Sequence, residues 1–134
     1  MRKTHYRTTP DLVATQRQFW ISYHPEMEGY TYKEALLPIG RVASPGETLT
    51  DAELDPYRKA MRRGDPFPPV LVEGRRRGRW LVSDGNHRYR AANLEGYTHI
   101  PVLIATPALP RMLRPRRPLD QALPRRPKRY RRSS

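Results

Sequence analysis

The chain has 134 residues, with 26 Lys and Arg against 13 Asp and Glu, four His and no Cys, and it carries a formal net charge of +13. That length holds one modest core, and the lack of cysteine excludes a disulfide framework, a thiolate metal site and a thiol nucleophile. No stretch is apolar enough to span a bilayer, and the charge is uneven: residues 111–134 carry a net +9 and the first 110 residues +4.

The first residues, Met1-Arg2-Lys3-Thr4-His5, are charged and lead into a polar helix rather than an apolar signal core. A cytoplasmic protein without a membrane partner is therefore expected. Thr9-Pro10-Asp11 opens that helix, with a hydroxyl cap, a proline in the first turn and an acid beside the positive end. Leu12, Val13, Gln16, Phe19, Trp20 and Tyr23 fall near one face at helical spacing. A helix over residues 10–23 is expected, with its aromatics packed on the main domain or on a partner subunit. Thr50-Asp51-Ala52-Glu53 is a capping box, followed by Leu54, Tyr57 and Met61 at i, i+3 and i+7 before Gly64 stops the helix.

The prolines of Asp65-Pro66-Phe67-Pro68-Pro69 force a loop. Val70–Val72 and Trp80–Val82 form a hairpin around residues 73–78, and a helix over His87–Glu95 ends at Gly96. His99–Ala105 is an apolar central strand, parallel to a neighbour because a helix precedes it. After Pro107 and Pro110 the Arg/Pro run lacks apolar periodicity and is expected to be disordered or polyproline-like. The expected division is an N-terminal helical segment at 1–34, a small α/β domain with a mixed sheet at 35–107, and a basic tail at 108–134.

The richest run is Ser83-Asp84-Gly85-Asn86-His87-Arg88-Tyr89-Arg90. It places a Gly-hinged turn at a helix start, where free N–H groups and the positive dipole end favour phosphate and His87 and Arg88 add donors. The plainer reading makes Asp84 or Asn86 a turn or cap residue. His5, His24 and His99 lack metal-ligand spacing. Arg75, Arg76 and Arg77 sit at the hairpin tip, either as a solvated turn or, with Arg125, Arg126, Lys128, Arg129, Arg131 and Arg132 of the tail, as a clamp on a phosphate backbone. Tyr130 is the tail's one aromatic, too little for base stacking along a strand.

The run Gly85-Asn86-His87-Arg88-Tyr89-Arg90-Ala91-Ala92, followed by Gly96 and Ile100-Pro101-Val102, resembles the signature of the ParB/sulfiredoxin superfamily. Upstream, Leu37-Pro38-Ile39 resembles its first strand, residues 50–64 its next helix, and residues 69–72 and 79–82 its paired strands. In sulfiredoxins the turn is Gly-Cys-His-Arg, which binds ATP phosphates and supplies the reactive cysteine. Asn86 stands at that cysteine, so the resemblance leaves the phosphate contacts of His87 and Arg88 and excludes sulfinic acid reduction. In ParB partition proteins the turn is Gly-Glu-Arg-Arg and contacts the triphosphate of CTP. This chain keeps Gly85, Arg88, Arg90 and Ala91, with Asn86 for the acid and His87 for the first arginine. An Arg/Pro run follows rather than a helix-turn-helix domain, so clamping on a centromere site is not expected.

Free-serine kinases and ParB-like nucleases of this type carry Asp-Gly-x-x-Arg, matched by Asp84, Gly85 and Arg88. That resemblance makes Asp84 a candidate general base or metal-organising carboxylate and His87 a donor to a transferring phosphoryl group. Glu34, Glu47 and Glu73 are the other acids to place. The resemblance implies a nucleoside triphosphate with Mg2+ as cofactor. The expected function is nucleotide or phosphate binding at Gly85, Asn86, His87, Arg88 and Arg90, with nucleic acid held by the tail. The alternatives are a phosphotransferase or nuclease and a non-catalytic DNA- or RNA-binding accessory protein, and self-association is left open.

Overall fold

The computed structural model describes residues 3–46 and 48–108. Helix α1 spans Pro10–Tyr23, and the Thr9 side chain caps it by accepting the Leu12 N–H. Its buried residues are Gln16 and Trp20, whereas Phe19 and Tyr23 are 47% and 67% exposed. The expected aromatic face is therefore corrected to Trp20 alone. At about 100° per residue Gln16 and Trp20 share a narrow stripe, and Phe19 and Tyr23 fall on the strip beside it. There they pack on each other, ring centroids 4.9 Å apart.

Strand β1 runs over Thr31–Pro38, a 3-10 turn covers Ile39–Arg41, and the short β2 is Val42–Ala43. The first strand thus begins well before Leu37, and Ile39 lies outside it. Its whole length is set by antiparallel pairing with β5, His99–Thr106, from Thr31 opposite Thr106 to Pro38 opposite His99. The division expected at 34/35 falls inside β1.

Helix α2, Asp51–Arg63, has the expected reciprocal cap: Glu53 N–H donates to Thr50 Oγ1 and Thr50 N–H to Glu53 Oε1. β3 (Val70–Arg76) and β4 (Arg79–Asp84) form a longer hairpin than composition suggests. The loop expected at 73–78 shrinks to Arg77-Gly78, both with positive φ, a two-residue turn that matches the twist of the strands. The ladder absorbs Gly74 at a register shift between Val72 and Arg75, so Arg75 and Arg76 are strand residues.

The sheet order is β1-β5-β3-β4-β2, mixed, with β5 parallel to β3 and β2 parallel to β4. Both faces are covered, which is why Val70, Leu71 and Val72 are all apolar and buried. Alternation sends Val70, Val72, Ile100 and Val102 to one face, with Tyr6, Met61 of α2 and Ala91 and Ala92 of α3 (Asn86–Leu94). Leu71, Leu103 and Ala105 meet Trp20 and Met27 on the other face. Arg58 and Arg62 of α2 grip Glu95 at the end of α3. Those bonds, led by Arg62, hold the Glu95 carboxyl below the usual range. No helix among the described residues is long and apolar enough to cross a membrane. The tail arginines and Lys128 lie outside the described residues.

Candidate phosphate-binding turn

The turn between β4 and α3 is shaped by Gly85, whose φ of 103° is disfavoured for other residues. Space imposes a second demand: a Cβ there would stand 2.7 Å from a terminal guanidinium nitrogen of Arg88. With no side chain on the residue preceding α3, none caps its first amides.

Arg88 folds back over the glycine and donates to Gln16 Oε1 at 3.0 Å and to the Pro69 carbonyl at 3.1 Å. The other end of the Gln16 amide donates to Asp84 Oδ2 at 2.7 Å. Gln16 thus couples the carboxylate of β4 to the guanidinium of α3, and both Gln16 and Asp84 are buried. The sequence does not reveal this contact, since its partners lie 68 and 72 residues away. The available signal is a glutamine on the apolar stripe of α1. Tyr6, buried in the core, donates to the Pro68 carbonyl at 2.6 Å. Burial pushes its hydroxyl up to about 12, opposed in part by Arg88.

Asn86 and Arg90 face the other way. Asn86 Oδ1 accepts from the Ser44 hydroxyl, and the Arg90 guanidinium donates to the Ser44 carbonyl at 3.0 Å. The loop after β2 is thereby fastened to α3, and Tyr89 adds a bond to the Val42 carbonyl. His87 lies against the Tyr57 ring of α2, centroids 5.2 Å apart. Its buried Nδ1, like Arg88 Nε, makes no hydrogen bond to any described residue.

Two clefts flank the turn. One, of about 300 Å³, is lined by Asp84, His87, Arg88, Gln16, Tyr57 and Phe19, among others. The other, of about 620 Å³, lies between the hairpin and α3 and brings Arg76, Arg77, Arg79 and Arg90 together with no carboxylate in its lining. Arg75 instead covers the Trp80 ring. Glu73 accepts from Ser83, Glu34 lies on the edge strand β1, and Glu47 is outside the described residues. Among the described residues no three His, Cys, Asp or Glu side chains converge as a metal-binding group. The donors at the turn suit anionic oxygens, and Asp84 is the carboxylate that lines the smaller cleft.

The ParB N-terminal domain model matches residues 35–116, more than half of the chain. The chain belongs to the ParB N-terminal domain family. Its mixed sheet and flanking helices form an α/β domain of that family. Three solved structures are similar to it. Caulobacter crescentus ParB complexed with CTP-γ-S shares 22% identity over 54% of this chain and 43% of that one, TM-score 0.48. SbnI of Staphylococcus aureus shares 28% over 52% and 29%, TM-score 0.46, and Arabidopsis thaliana sulfiredoxin 20% over 54% and 83%, TM-score 0.47. The chain covers less than half the length of those ParB and SbnI chains. No curated protein matches it in sequence. The ParB-family match begins at residue 35, so Tyr6 and Gln16 reach the turn from outside it.

Proposed function

We propose that this ParB-type domain binds a nucleotide or another phosphate-bearing ligand at the turn 84–90. One observation carries the reading: a helix start with no capping side chain has on one side the buried His87 Nδ1, without a hydrogen bond among the described residues, and on the other the guanidinium of Arg90. Free amides, a ring nitrogen and a fixed cation are what phosphate oxygens need. Gly85 admits the close approach, Asn86 and Arg90 hold the Ser44 side, and Arg88 keeps the turn rigid. A nucleoside triphosphate would bring its Mg2+ on its own oxygens, with Asp84 as the nearby carboxylate. The basic tail supplies non-specific nucleic-acid affinity, a part of the reading that is removed if deleting residues 111–134 leaves DNA binding unchanged at every salt concentration.

Calorimetric titration with nucleoside triphosphates, diphosphates and inorganic phosphate tests the site. Arg90→Ala is expected to weaken binding by about 1.5 to 3 kcal/mol, the range for a charge-assisted hydrogen bond. Equal affinity in the variant removes Arg90 from the site, and no binding by wild type removes the reading.

A second reading, a phosphotransferase or nuclease, is favoured by the position of Asp84. It is buried, oriented by Gln16, and lines a cleft with His87 and Arg88. In that reading Asp84 is the base or metal-organising group, and nucleotide turnover is lost in Asp84→Asn while binding persists. Nucleic-acid binding without any nucleotide affinity would mark a non-catalytic accessory protein instead.

A further inference from the structure

We infer that the start of the basic tail, Arg111-Met112-Leu113-Arg114, docks in an apolar cleft of the domain that bears it. The cleft, of about 250 Å³, lies where Val13 of α1 and the segment at Thr8 meet the β1–β5 pair at Glu34, Leu36 and Pro101. Three features suit it to a chain segment. Leu36, opposite Pro101 in the ladder, is a large apolar residue left 47% exposed. Thr8 Oγ1 is buried with no hydrogen bond among the described residues, and a bound backbone amide or carbonyl would recover what that costs. Glu34 is the cleft's carboxylate, no Lys or Arg lines the cleft, and Glu34 takes part in none of the ion pairs among the described residues.

The occupant follows from the tail's sequence and from where β5 ends. In residues 111–134 Met112-Leu113 is the adjacent pair of large apolar side chains, and Arg111 and Arg114 flank it with the charge that Glu34 lacks a partner for. Leu119 is followed by Asp120, a like charge for Glu34, and Leu123 stands between Ala122 and Pro124. The reach also fits. β5 ends with Thr106 opposite Thr31, and Leu36 lies five residues along the ladder from there, about 17 Å. The chain bends at Ala108, and from Ala108 to Leu113 is likewise five residues, up to about 17 Å of extended chain. A loop this short costs little entropy to close. The family match runs on to residue 116, so it takes in Arg111–Arg114 and leaves out Leu119 and Leu123.

The test follows backbone amide resonances of the full chain without nucleotide or nucleic acid. Met112→Ser/Leu113→Ser is compared with Leu119→Ser/Leu123→Ser, which removes two large apolar side chains from the same tail. Resonances of Thr8, Val13 and Leu36 are expected to move in the first variant and to stay in place in the second. Arg111→Gln/Arg114→Gln is expected to move the resonances of Glu34 and Leu36, because the ion pairs with the carboxylate are lost. All three substitutions lie beyond β5, and a melting transition as sharp as that of wild type shows that each variant is folded. Cleft resonances that stay still in Met112→Ser/Leu113→Ser, or that move equally in both double serine variants, overturn the inference. Differences that vanish on dilution overturn it too, since they would place the tail of a second copy in the cleft.

Discussion

Trp20→Ala is expected to destabilise the domain by about 3 to 5 kcal/mol, the range for truncating a buried aromatic. Trp20 is 2% exposed and fills the face of the sheet under α1, against Met27, Leu71, Leu103 and Ala105. Its indole N–H donates to the Met27 sulfur, so the substitution leaves both a cavity and a lost contact. In a domain of this size such a loss lowers the melting temperature by roughly 10 °C or more. Phe19→Ala and Tyr23→Ala provide the contrast. Phe19 is 47% and Tyr23 67% exposed, and each change is expected to cost about 1 kcal/mol or less. Thermal melts of the three variants decide the matter. An unchanged melting temperature for Trp20→Ala would mean that α1 is not part of the core.

Gly85→Ala is expected to damage stability and binding together. The left-handed backbone costs about 1 to 3 kcal/mol for a residue with a Cβ. The new methyl would also stand 2.7 Å from the Arg88 guanidinium, which must move. Moving it releases Gln16 and the Pro69 carbonyl, at about 1.5 to 3 kcal/mol for a hydrogen bond to a charged group. Phosphate affinity should fall with the loss of turn geometry. Chemical denaturation with a parallel phosphate titration separates the effects: a variant as stable as wild type with full affinity would show that Gly85 is dispensable.

The elements legible in the sequence are those whose signals are local. Thr9 and Thr50 cap helices through residues three positions on, and the observed starts of α1 and α2 follow from those pairs. Gly85 marks the start of α3 for the same reason. β1 was less legible, because Lys33 and Glu34 are exposed in succession and its length is set by β5, far along the chain. The hairpin was shortened by its composition. A run of arginines reads as loop, but the ladder continues past the Gly74 irregularity and brings Arg76 opposite Arg79. At the site, the turn itself was legible from Gly, His and Arg spacing. Gln16, Ser44 and Arg79 were not, because only tertiary packing brings them to α3 and the cleft.

The central claim, that the turn binds phosphate, is tested most directly by following backbone amide resonances during titration with ATP or CTP and Mg2+. Saturable shifts are expected, concentrated at Gly85, Asn86, His87 and Arg88, where the uncapped amides of α3 lie. Resonances of these four residues that stay still at millimolar nucleotide, or shifts confined to the hairpin, would contradict it.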